Sequence, residues 1–139
     1  MSIKENKNAL IISLSLPHFT FKDFNEEIDE LKQLSLTLGY TIVDSIIQNK
    51  KKIDSSTYIG KGKLNSLINI CKEMNVKTLI FNNELTPSHY KNINKISNNK
   101  LKIIDRTKLI LDIFNNHAKT NEAKKQIELS TLQYMLPRL

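Results

Sequence analysis

The chain has 139 residues, 40% of them hydrophobic, with one cysteine and a net charge of +7. That length suits one domain of ordinary size with enough apolar mass for a core, and a lone cysteine excludes an internal disulfide. No run approaches the ~20 apolar residues of a membrane span, no Cys/His cluster has metal-ligand spacing, and the N-terminal MSIKENKNALIISLSLP lacks the small-residue cleavage site of a signal peptide, so a reducing cytoplasm is the expected setting.

Ala9 to Leu16 is a short apolar run closed by Pro17 and reads as a first strand. Asp23 with Glu26 three positions on reads as an N-cap pair. The helix that follows places Phe24, Ile28, Leu31, Leu34 and Leu38 on one face and stops at Gly39. Tyr40 to Gln48 is a second strand, and Lys50-Lys51-Lys52 opens a polar loop. Next comes a helix with Leu64, Leu67, Ile68, Cys71 and Met74 at three- and four-residue spacing. Cys71 falls on its apolar side, which suits an inert buried thiol better than a nucleophile. Lys77 to Asn82 is a third strand. Thr86-Pro87 is a strong helix start, with Tyr90, Ile93 and Ile96 facing inward and Asn98-Asn99 ending the helix. Leu101 to Ile104 is a fourth strand, and helix resumes near Arg106.

Strand and helix alternate, and the strands are short and almost continuously apolar. This predicts an α/β fold: a small four-stranded, mainly parallel sheet flanked by helices, with the first and third strands at its centre. A C-terminal helical arm follows. From Glu122 onward its apolar residues do not share one side: Leu129, Leu132 and Leu136 make one stripe, and Ile127 and Tyr134 lie nearly opposite. A helix apolar on two sides needs two surfaces to pack against. One is the body of the chain; the other is not evidently encoded in it.

Charge is distributed unevenly. Residues 22–32 hold Asp23, Glu26, Glu27, Asp29 and Glu30 against Lys22 and Lys32, whereas residues 50–125 hold sixteen Lys or Arg against six Asp or Glu. A positive surface suits a polyanion such as RNA. A compositional bias toward Lys, Asn and Ile gives the same excess, so charge alone leaves the partner open.

Gly60-Lys61-Gly62-Lys63 stands just before a helix. Glycines let backbone N–H groups converge on an anion, and the two lysines supply countercharge. A phosphate-binding turn and a plain tight turn both fit, and the spacing is not that of a Walker A loop. Asp105-Arg106-Thr107 follows a strand at the edge where open α/β sheets hold ligands; Asp105 reads foremost as a helix cap, with Arg106 paired to it or to solvent. Glu84 has no second carboxylate for acid–base work. His18, His89 and His117 are scattered, with His89 expected exposed in a first helical turn. No catalytic residue is assigned. Lys119, Lys124 and Lys125 put positive charge near the start of the last helix, and no tryptophan is present for base stacking.

TYIGKGK at 57–63, NELTPS at 83–88, IDRTKLILDIF at 104–114, QIEL at 126–129 and LPRL at 136–139 follow one another in this order. Together they resemble the N-terminal region of the HflX family of ribosome-associated GTPases. The resemblance covers almost everything from Leu31 onward. It implies an N-terminal α/β subdomain (1–105) and a helical arm (106–139) that is cut short of its antiparallel partner helix, with the GTP-binding domain absent from these residues. Full-length members use GTP and magnesium, bind the large ribosomal subunit and in some cases split or rescue stalled ribosomes; none of the GTP-binding motifs occurs in this chain, which therefore has no cofactor of its own. On this reading Lys61, Lys63, Arg106, Lys119, Lys124 and Arg138 are the expected rRNA contacts. An ATP-linked activity associated with the N-terminal region makes nucleotide binding by Gly60, Lys61, Gly62 and Lys63 the alternative, and a non-functional truncated remnant is the third. The chain departs from the family at Asn82-Asn83, where acids are usual, at 115–120, where arginines are usual, and at Ala123, where glycine is usual.

Overall fold

The computed structural model describes residues 5–18 and 20–139. Its elements are β1 (Asn8–Ser15), α1 (Phe21–Thr37), β2 (Thr41–Asn49), α2 (Lys61–Met74), β3 (Thr78–Phe81), α3 (Pro87–Ile96), β4 (Lys102–Asp105), α4 (Arg106–His117), α5 (Asn121–Met135) and a closing 3-10 turn, Leu136–Arg138. The sheet order is β2-β1-β3-β4 with every pairing parallel, so β1 and β3 are the central pair as expected. Alternation along β1 explains why both faces are covered. Leu10, Ile12 and Leu14 point into a core shared with Leu64, Leu67 and Cys71 of α2 and Tyr90 and Ile93 of α3. Ala9 and Ile11 point the other way, into a core shared with Leu31 of α1 and Leu109 of α4. Cys71 is buried, and desolvation pushes its thiol up to about 11, which keeps it protonated and inert.

Local chemistry sets the boundaries. The cap of α1 is Thr20 and not Asp23: its hydroxyl accepts from the Asp23 N–H at 3.2 Å, and its backbone is extended. Asp23 sits one turn in, where its charge suits the helix dipole. The chain leaves α1 through Gly39 at φ +84°, a left-handed conformation that costs glycine nothing. Thr86 caps α3 with Pro87 at the first helical position. Met74, expected on the apolar face of α2, is exposed near its end.

The arm follows the sequence pattern. α5 packs on α4, and the closing turn packs on α3. Ile127 and Tyr134 are half-buried, while Leu129, Leu132 and Leu136 are 56%, 48% and 62% exposed. One apolar side of α5 is therefore covered by the body and the other is open, with Phe114 of α4 also exposed. None of the described helices is long and apolar enough to cross a membrane.

Candidate functional site

The sheet separates the two charge regions of the sequence. α2 and α3 share one face and carry Lys61, Lys63, Lys72, Lys91 and Lys95 against Glu73 alone. The other face carries α1, with five carboxylates against two lysines, and α4, with Arg106 and Lys108 against Asp112. An uneven charge along the chain becomes a basic face and an acidic face in space.

The loop between β2 and α2 borders the basic face and is tied down at several points. The Asp54 carboxylate accepts from the N–H groups of Ser56 and Thr57 at 2.9 and 3.1 Å. These bonds, with a smaller contribution from the Lys50 charge, hold its pKa below the usual range. Asp54 and Tyr58 exchange two backbone bonds of 3.0 Å. Tyr58 adopts φ +69°, unusual for a bulky residue, and is held there by burial, by edge-on packing against Phe81 and His89, and by donation of its hydroxyl to Asn83. Asn92 of α3 donates to the Ser56 carbonyl at 2.9 Å.

His89 is buried, contrary to the exposed position expected for it. It completes a reciprocal cap with Thr86: its N–H donates to the Thr86 hydroxyl at 3.1 Å, and its Nδ1 accepts from the Thr86 N–H at 3.2 Å. Nε2 therefore carries the proton and donates to the Asp54 carbonyl at 3.1 Å. The spacing to Thr86 was visible in sequence; the loop that covers the ring, 35 residues earlier, was not.

The Gly60–Lys63 turn is the first turn of α2. The Gly60 N–H donates to the Gln48 side chain at 3.2 Å, so it is not available to an anion. A Cβ on Gly62 would meet nothing within 4 Å, and one on Gly60 only the ends of Lys50 and Gln48, so packing does not demand either glycine. Lys61 lines a cleft of about 260 Å³ with Ser56, Thr57, Asn92, Lys95 and Ile96. No sequence motif marks Lys95 or Asn92, because polar residues on a helix usually face plain solvent.

At the C-terminal sheet edge, Arg106 pairs with groups other than Asp105. It donates to the carbonyl and side-chain oxygen of Asn82 at 3.0 and 2.7 Å and to the Glu27 carbonyl at 2.8 Å, and it pairs with Glu30 at 3.3 Å. These contacts tie the start of α4 to α1 and to the end of β3. Asp105 is a cap, as read, accepting from the Lys108 N–H at 2.9 Å. It also accepts from the Leu85 N–H at 2.8 Å and from the Tyr134 hydroxyl. Burial and the Asp105 carboxylate raise the Tyr134 pKa well above its ordinary value, which keeps that hydroxyl a donor.

Arg138, whose side chain is only 10% exposed, lies on the Tyr134 ring, donates to the Leu85 carbonyl at 3.2 and 2.9 Å and to the Tyr134 carbonyl at 2.6 Å, and pairs loosely with Glu84 at 3.7 Å. Arg106 and Arg138, both expected to face RNA, make these contacts within the fold and keep 21% and 10% of their side-chain surface exposed. Lys61, Lys119 and Lys124 are exposed and Lys63 is half-exposed.

This arrangement, a parallel four-stranded α/β body with a clamped helical arm, matches known proteins. The family described as GTP-binding GTPase N-terminal matches residues 25–115. GTPase HflX of Alkalihalophilus pseudofirmus is 42% identical over 118 residues, which is 85% of this chain and 27% of that protein. GTPase HflX of Flavobacterium psychrophilum is 37% identical over 96% of this chain and 32% of that protein. A GTP-binding protein from the archaeon Sulfolobus solfataricus, solved in complex with GDP, superposes with a TM-score of 0.73 at 31% identity, covering 95% of this chain and 38% of that one. The chain belongs to the N-terminal domain family of HflX GTPases and spans about a third or less of the length of these curated relatives.

Proposed function

We propose that the chain is a ribosome-binding module of the HflX type, which turns its α2/α3 face and the lysines of its arm toward rRNA of the large subunit. The observation that carries this reading is the separation of charge across the sheet, which leaves Lys61, Lys63, Lys91 and Lys95 on one side. Lys119, in the link before α5, and Lys124, in its first turns, extend the positive charge onto the arm. Lysines act here as point charges on backbone phosphates, so contact is salt-sensitive and independent of sequence. The open stripe of Leu129, Leu132 and Leu136 receives a further helix laid along α5, of the kind the family's antiparallel arm uses. GTP hydrolysis belongs to other parts of HflX proteins.

Sedimentation with large ribosomal subunits at low and moderate salt tests the reading. Co-migration at low salt that fades as salt rises supports it. Absence of co-migration at both rejects it for this chain.

A further inference from the structure

We infer that the cleft between the β2–α2 loop and α3 seats a backbone phosphate of a single RNA strand, with Lys61 and Lys95 as its two cationic walls. The inference rests on the RNA-binding reading above and gives it a place. Lys61 comes from α2 and Lys95 from α3, yet both line one concavity with Ser56 and Asn92. Among the described residues neither lysine forms an ion pair. The one acid of the neighbouring loop, Asp54, is turned onto the N–H groups of Ser56 and Thr57. Two unneutralised ammonium groups facing one concavity repel each other less with an anion between them.

The seat is also held in shape before any ligand arrives. Asn92 fixes the Ser56 carbonyl and His89 fixes the Asp54 carbonyl. A loop already ordered loses little entropy on binding.

Size and lining decide the ligand class. About 260 Å³ falls below the roughly 300–1,000 Å³ of pockets that engulf a drug-sized molecule. Ile96 is the one apolar residue in the lining and no aromatic ring is present, so a base has nothing to stack on. A phosphate fits; a whole nucleotide has no hold for its base. The surroundings favour a polymer over a free ion. Lys95 also borders a second concavity with Lys91, and the loop beside Ser56 forms a third with Lys50, Lys51 and Lys52. Three concavities lined by Lys50, Lys51, Lys52, Lys61, Lys91 and Lys95 suit a polyanion better than a single ion.

Amide NMR of the 139-residue chain, titrated in separate arms with a short oligouridylate, inorganic phosphate and ATP, tests this. The oligouridylate is expected to shift Ser56, Thr57, Lys61 and Lys95 saturably. Lys95→Ala should weaken it about fivefold and lower its log–log salt slope by about one. Lys22→Ala, an exposed residue of α1 on the opposite face of the sheet, should change nothing, and unaltered spectral dispersion in both variants controls for folding. Oligouridylate shifts confined to the arm, a Lys95→Ala protein that binds as wild type does, or ATP binding the cleft more tightly than the oligouridylate overturns the inference. Subunit sedimentation separates it from the broader reading. Co-migration without cleft shifts leaves ribosome binding standing and removes the seat; cleft shifts without co-migration do the reverse.

Discussion

The guanidinium carbon of Arg138 lies 3.7 Å from the centroid of the Tyr134 ring, four residues back, while the same group donates twice to the Leu85 carbonyl in the loop before α3. Arg138 therefore fastens the end of the arm to the loop that leads into α3. Arg138→Ala is expected to lower stability by about 2 kcal/mol, from lost charged hydrogen bonds and ring stacking. Arg138→Lys should recover little, because an ammonium does not reproduce the planar fork. Urea denaturation of both variants measures this; a wild-type midpoint for Arg138→Ala would remove the fastening role.

The Tyr134 hydroxyl and the Leu85 N–H share one oxygen of Asp105. Tyr134→Phe deletes one donor and leaves the carboxylate two N–H partners, so about 1 kcal/mol is expected. Asp105→Ala strands the buried Leu85 N–H and uncaps α4, and about 3 kcal/mol is expected. The ordering of the two losses is the diagnostic result, read from thermal or chemical unfolding.

His89 should give the fold a pH dependence. Burial holds its pKa below the ordinary 6.5, outweighing the Asp54 carbonyl and charge, which pull the other way. The unfolded chain then takes up this proton at a higher pH than the folded one. Stability from this group is complete above about pH 6.5 and is lost as pH falls through the lower folded value. Asp54, also lowered, acts in a separate window below its ordinary 3.8. Denaturation midpoints between pH 7 and 5 should fall in wild type and fall less in His89→Gln, whose amide can still serve the Thr86 cap. Equal slopes would set the histidine aside.

Leu132→Glu should leave folding intact, within about 0.5 kcal/mol, because that residue touches solvent. It should also reduce self-association, which a bare apolar stripe promotes. Analytical ultracentrifugation of wild type and variant decides the point: wild type that stays monomeric at high concentration argues against an adhesive stripe.

Nucleotide binding at Gly60–Lys63 is tested by calorimetry with ATP and GTP. With the Gly60 N–H engaged by Gln48 and no aromatic residue in the cleft beside it, no saturable heat is expected. Strong heat abolished by Lys61→Ala and Lys63→Ala would restore the nucleotide reading.

The sheet was legible because its signals are local. Short apolar strands, Thr86-Pro87 and Gly39 each announce an element within a few residues, and the β1–β3 centre follows from general rules of parallel sheets. The two-sided apolar pattern of α5 was legible for the same reason. The partners of Arg106, Arg138 and His89 were not, since Glu27, Leu85 and Asp54 lie 79, 53 and 35 residues away in sequence. The Asp23–Glu26 spacing matches a local cap pattern, yet Thr20, three residues earlier, is the cap of α1. The Lys61–Lys95 pairing was invisible for want of any motif joining a helix start to the end of another helix.

Leu85 is gripped at both ends of its backbone: its N–H by Asp105, which also holds Tyr134 of α5, and its carbonyl by Arg138. A single residue thus rivets arm to body. Any pull that swings α5 is delivered at once to the segment leading into α3, so the two move as one lever unless the rivet shears.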